Sequence, residues 1–125
     1  MEYKAIIEKG SDGLHSVRLE EYVNDCLVCG YGENVEEAKQ DFLECLQETL
    51  GTDLTGISIE YQYDLPSFFN YFDLINASKL AKKAGINESK MRQYKCGAAF
   101  PSEATTAKIL AAVHQIGSEL TKCAI

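Results

Sequence analysis

From Leu80 to Tyr94 the chain reads LAKKAGINESKMRQY, a segment that leaves the backbone little choice. Leu80, Ala81 and Ala84 make the apolar stripe of a short helix, with Lys79, Lys82 and Lys83 on its outer side. Gly85 follows at a helix end, where a left-handed residue is needed and a side chain would resist it. Ile86 plugs the turn and Asn87 caps a second helix. In that helix Met91 and Tyr94, one helical step apart, face back toward Leu80 and Ala81. The small Ala81 lets two helices cross closely and the glycine makes the turn tight, so the set predicts a helix-turn-helix.

The flanks extend this unit. Pro66 suits the first turn of a helix and pushes Leu65 toward extended structure, which marks a junction. Phe68, Phe69, Tyr71, Phe72, Leu74 and Ile75 then read as a short aromatic helix filling a core, and Asn76 or Ser78 can start the next one. Past Gly97, Ser102 caps a long final helix whose expected apolar face is Ala104, Ala107, Leu110, Ala111, Val113, Ile116, Gly117 and Leu120. Part of that face would cover the helix-turn-helix and the surplus would pair with a second subunit.

Charge divides at the same junction. Up to Leu65 there are four basic residues against fifteen acidic, a net −11. From Pro66 onward eight basic residues face four acidic, a net +4, within a chain total of −7. A reversal of this size describes two modules with different partners.

The first module reads as a small sheet with one helix. Tyr3 to Lys9 is strand-like, and Gly10-Ser11-Asp12-Gly13 is turn chemistry. Leu14 to Glu20 returns with His15, Val17 and Leu19 on one face, and Cys26 to Tyr31 is a third short strand. Asn34 caps a helix and Glu37 can reach back to complete a capping box. Val35, Ala38, Phe42, Cys45, Leu46 and Leu50 recur at helical spacing. After Gly51, the residues Ile57, Ile59, Tyr61 and Tyr63 alternate with polar neighbours, as a half-buried strand does. The expected fold class is α+β: a β-β-β-α-β domain over residues 1–65, then an all-helical domain over 66–125.

The hairpin ending in EKGSDG, the CLVCG strand and the GENVEEAK helix start resemble the N-terminal domain of HicB-type antitoxins, over about Tyr3 to Tyr63. That domain is a degenerate ribonuclease-H-like fold. The second module resembles the Cro and lambda-repressor type of helix-turn-helix, over about Ser67 to Leu120. Carried over by position, this second resemblance makes Glu88, Ser89, Arg92 and Gln93 the outward residues of the recognition helix, with Lys90 and Lys95 flanking. Their chemistry suits DNA: Arg grips guanine, Gln adenine, Glu accepts from cytosine, and Lys and Ser suit phosphates.

Other chemistries find little support. A two-metal nuclease needs carboxylates converging at about 4 Å from shared ions, and strand one offers only Glu8. Cys26 and Cys29 lie three apart on an expected strand, point to opposite faces and lack a second ligand pair, so they read as small buried residues. The odd count of five cysteines reads as reduced thiols. His15 and His114 are isolated in sequence. No nucleophile-base arrangement, phosphate loop or dinucleotide fingerprint is present, so no catalytic residue, metal or cofactor is expected. No apolar run reaches the roughly 18 residues of a membrane span, and Met1-Glu2-Tyr3-Lys4 does not open a secretory signal, so a cytoplasmic protein is expected.

The resemblances imply an antitoxin that neutralises a small basic toxin ribonuclease and, as a dimer, represses its own operon. The alternative is a stand-alone prokaryotic or phage-like regulator whose first domain dimerises or senses. A nuclease is the third reading.

Overall fold

The computed structural model describes residues 1–125 and is a mixed α+β structure with a four-stranded sheet and five helices. In chain order these are β1 (Glu2–Lys9), β2 (His15–Leu19), β3 (Cys29–Gly32), α1 (Val35–Leu50), β4 (Ser58–Tyr63), α2 (Leu65–Tyr71), α3 (Ala77–Ala84), α4 (Glu88–Cys96) and α5 (Glu103–Lys122). They form two compact units, Met1–Tyr71 and Phe72–Ile125.

In the first unit the strands lie in the order β3-β2-β1-β4. The β1-β2 and β2-β3 pairs are antiparallel, whereas β4 runs parallel to β1 with Tyr3 opposite Ile59 and Ile7 opposite Tyr63. Period-two alternation sends Tyr3, Ala5, Ile7, Val17 and Leu19 to one face, where α1 buries Val35, Ala38, Phe42 and Leu46 against them. Each Val, Leu, Ile or Phe among them contributes about 1.5–3 kcal/mol when removed from water. Asn34 caps α1 by accepting from Glu37 N at 2.8 Å, and Glu37 reaches back to Glu33 N at 3.0 Å, one residue earlier than the expected box. The helix ends at Gly51 with φ 73°.

The third strand is shorter than expected. Val23 and Cys26 exchange backbone hydrogen bonds at 3.0 and 2.9 Å around Asn24 and Asp25, whose φ angles are 51° and 61°. Two successive left-handed residues make a tight turn of the hairpin kind, and Asn and Asp are the side chains that tolerate it best. Cys26 therefore closes a turn and is exposed, which corrects its reading as a buried strand residue; Cys29 is half-buried.

The boundary between the units lies at Tyr71, six residues beyond the expected junction at 65/66. Polar contacts fasten α2 to the sheet unit. Asp64 accepts from Lys9 N at 2.8 Å and from Ser67 N at 2.9 Å, and Asn70 Oδ1 accepts from Val35 N at 2.9 Å, so a residue of α2 caps α1. Phe68 and Phe69 are buried, as core filling requires, but the helix stops at Tyr71 and Leu74 is 97% exposed.

Candidate nucleic-acid interface

In the second unit Asn76 caps α3 by accepting from Lys79 N at 3.0 Å, which settles the choice between Asn76 and Ser78. Gly85 ends α3 at φ 73°, and Ile86 N donates to Ala81 O at 2.8 Å, locking the turn. A side chain in that conformation would be strained, so glycine is required for its φ. Asn87 then caps α4 by accepting from Lys90 N at 3.1 Å, and Gly97 closes it at φ 81°. Leu80, Ala81 and Met91 are buried together with Ile109 and Ala112 of α5, and Tyr94 is half-buried.

With Met91 and Tyr94 turned inward, α4 presents Ser89, Lys90, Arg92, Gln93 and Lys95 as exposed residues. Ser89, Arg92 and Gln93 share one side, because they recur at three- and four-residue steps. Glu88 is placed differently: its carboxylate lies 3.6 Å from Lys82 Nζ and it is half-buried, so an ion pair ties it to α3. Lys83 of α3 likewise meets Glu119 of α5 at 3.6 Å. These are exposed pairs worth under about 1 kcal/mol each, and they leave Glu88 least available of the six expected site residues.

Cys96 is the residue that pattern reading passed over. It lies four residues beyond Arg92 and three beyond Gln93, on the same side, and it is exposed. Its thiol donates weakly to Gln93 O at 3.5 Å. Its position is legible only once Met91 and Tyr94 fix which side of α4 is buried.

The long α5 departs from its expected face. Ile109 and Ala112 are the buried positions, with Thr105, Val113 and Ile116 half-buried, whereas Ala104, Ala107, Leu110, Ala111, Gly117 and Leu120 are exposed. The inner stripe runs through Thr105, Ile109, Ala112, Val113 and Ile116 at three- and four-residue steps, which leaves Leu110 and Leu120 outside it.

Elsewhere, His15 is 3% exposed and hydrogen-bonded to Ser67, in a packed position. No group of three or more His, Cys, Asp or Glu side chains is placed to hold a metal ion, and no helix is long and apolar enough to cross a membrane. No protein-family model matches the chain, and no curated protein or solved structure matches it significantly.

Proposed function

We propose that the chain is a HicB-like antitoxin: its second unit is a helix-turn-helix that binds operator DNA, and its first unit covers a small basic toxin ribonuclease in the cytoplasm. The observation that carries this reading is the division of α4. Met91 and Tyr94 build the fold inward while Ser89, Arg92 and Gln93 stand exposed on one side, in a unit of net charge +4. A capped helix start with basic residues on an exposed face supplies phosphate contacts, and Arg and Gln supply base contacts. Lys90 and Lys95 flank that side, and Glu88 stands at the start of the helix, paired with Lys82 at 3.6 Å and able to accept from a base once that exposed pair opens. The separate −11 of the first unit suits a basic protein partner, since complementary potentials speed encounter. DNA phosphate would be repelled by it.

Operator titration tests the DNA half. Replacing Arg92 or Gln93 with Ala should cost about 1–3 kcal/mol at the operator and relax specificity there, while Lys90→Ala or Lys95→Ala should weaken binding to all sequences and flatten its salt dependence. Unchanged operator affinity in the Arg92→Ala, Gln93→Ala double variant would remove the recognition-helix assignment. A neighbouring reading frame encoding a short basic protein that co-purifies with this chain supports the antitoxin half. Operator binding with neither a frame nor a co-purifying protein supports the stand-alone regulator instead.

A further inference from the structure

Lys39 is the one basic residue of α1, whose acids are Glu36, Glu37, Asp41, Glu44 and Glu48, yet it forms an ion pair with none of them. Its amine turns instead to rings from two other elements. Nζ lies 4.2 Å from the ring centre of Tyr61 and 5.1 Å from that of Tyr63 on β4, and 3.6 Å from that of Tyr71 on α2. The rings adjoin one another: the centres of Tyr61 and Tyr63 are 6.4 Å apart and those of Tyr63 and Tyr71 6.1 Å apart. Tyr63 Oη accepts from Nζ at 2.7 Å and fixes its place. Lys39, Tyr61 and Tyr63 are half-buried and Tyr71 is exposed, so solvent reaches the box. An ammonium is stabilised best by carboxylates and water, whereas this one has a hydroxyl and ring faces. Burial accordingly pushes it down to about 8, and no carboxylate opposes that.

We infer that Lys39 is a covalent site for uncharged aromatic aldehydes, which it captures as an imine. A lysine amine becomes a nucleophile once desolvation favours its neutral form, as in Schiff-base lysines generally. Nζ adds to the carbonyl carbon, both amine hydrogens leave with the carbonyl oxygen as water, and C=N replaces C=O. Nothing is oxidised or reduced, and water reverses the step. The surroundings select the electrophile. Neither β4 nor α2 has a basic residue and α1 has no second one, so a phosphate or carboxylate on the aldehyde would meet no counter-charge. Loss of the amine's charge ends its attraction to the rings, whose faces then offer stacking area to an aromatic aldehyde. This chemistry goes beyond DNA and toxin binding and uses neither, so the two readings fail separately.

Reductive trapping on the full chain tests this, with benzaldehyde and sodium cyanoborohydride at about pH 7 and benzylated lysines quantified by peptide mass spectrometry. Lys39 should be labelled about tenfold or more faster than the exposed Lys4 and Lys108, since an ordinary lysine is almost wholly protonated at that pH. Peptide mapping separates this adduct from one at the α-amine of Met1. The advantage of Lys39 should vanish in urea, where the box is gone, a comparison that needs no variant. It should also shrink in Tyr71→Ala with far-ultraviolet circular dichroism unchanged. With para-carboxybenzaldehyde, which is anionic, the advantage should be smaller. Lys39 labelled no faster than Lys108 overturns the inference, as does an advantage that persists in urea or in a folded Tyr71→Ala variant. Equal advantage with the two aldehydes would overturn the choice of an uncharged electrophile.

Discussion

His15 Nδ1 lies 2.9 Å from Ser67 Oγ, and this buried contact ties β2 to α2 across 52 residues of chain. Burial holds the imidazole below its ordinary range, with nearby Asp64 opposing and Lys9 assisting. The neutral ring is therefore the form the fold prefers. A base depressed in this way takes up protons more readily when unfolded, so its contribution is complete above about pH 6.5 and is lost as pH falls below that value. Urea midpoints for the natural chain should begin to drop as pH falls through about 6.5, above the range where carboxylates dominate. His15→Gln, which keeps a hydrogen-bonding group, should flatten that drop. An unchanged drop in the variant would move its origin to another group.

Gly30 of β3 sits directly beneath α1. A Cβ added there would lie 2.6 Å from Phe42 Cα and 2.7 Å from Ala38 O, and it would collide with Phe42 N as well. Because these are backbone atoms of a helix, no side-chain rotation relieves the overlap. Gly30→Ala should destabilise the first unit by about 1–3 kcal/mol or more, measured by thermal or urea unfolding. Gly13→Ala is the contrast: nothing lies within 4 Å, so its cost is that of its φ of 84° alone. Equal losses at the two positions would mean that α1 shifts freely over β3.

Local signals were legible wherever one residue type answers one physical need. Asn34, Asn76, Asn87 and Ser102 cap helices, Gly85 and Gly97 end them with positive φ, and His15, Val17 and Leu19 share a buried face. Long-range relations were not legible in the same way. Nothing local in β4 announces a parallel partner 56 residues earlier, and Asn70 reads as an ordinary helix residue until it is found capping α1. Pro66 does lie in the first turn of a helix, but Leu65 is helical and not extended, and the polar contacts that attach this helix to the preceding sheet put the unit boundary after Tyr71. On α4, burial of Met91 and Tyr94 was readable from spacing, whereas the pairing of Glu88 with Lys82 depends on how α3 and α4 cross.

Cys96 gives the proposed DNA-facing side of α4 a chemical handle. Alkylation with a bulky maleimide places a group beside Arg92 and Gln93, while the fold is held from the opposite side of the helix. Modified protein should lose operator affinity by about tenfold or more, consistent with loss of one base-reading contact of about 1–3 kcal/mol. Cys26 and Cys123 are also exposed, so the control is Cys96→Ser, which should bind normally and be insensitive to the reagent. Equal sensitivity of Cys96→Ser would trace the effect to another thiol.

Lys39 of α1 projects into a box of tyrosines. Its Nζ lies 3.6 Å from the ring centre of Tyr71, 4.2 Å from Tyr61 and 5.1 Å from Tyr63, and it donates to Tyr63 Oη at 2.7 Å. Burial pushes this ammonium down to about 8 from an ordinary 10.5, and pushes the Tyr61 and Tyr63 hydroxyls upward, with Tyr71 adding to both. Below about pH 8 Lys39 is charged in both folded and unfolded chains, and the whole cost of burying it is present. Between about pH 8 and 10.5 the folded chain has released a proton that the unfolded chain still holds, so stability rises with pH. The ring faces favour the cation, which makes the rise smaller than burial alone would give. Above about pH 10 the tyrosines reverse the trend, because they ionise readily only in the unfolded chain. Urea midpoints should therefore climb from pH 8, peak near about pH 10 and fall beyond it. Lys39→Met should remove the climb and keep the fall, and a climb that persists in Lys39→Met would assign it to a different amine.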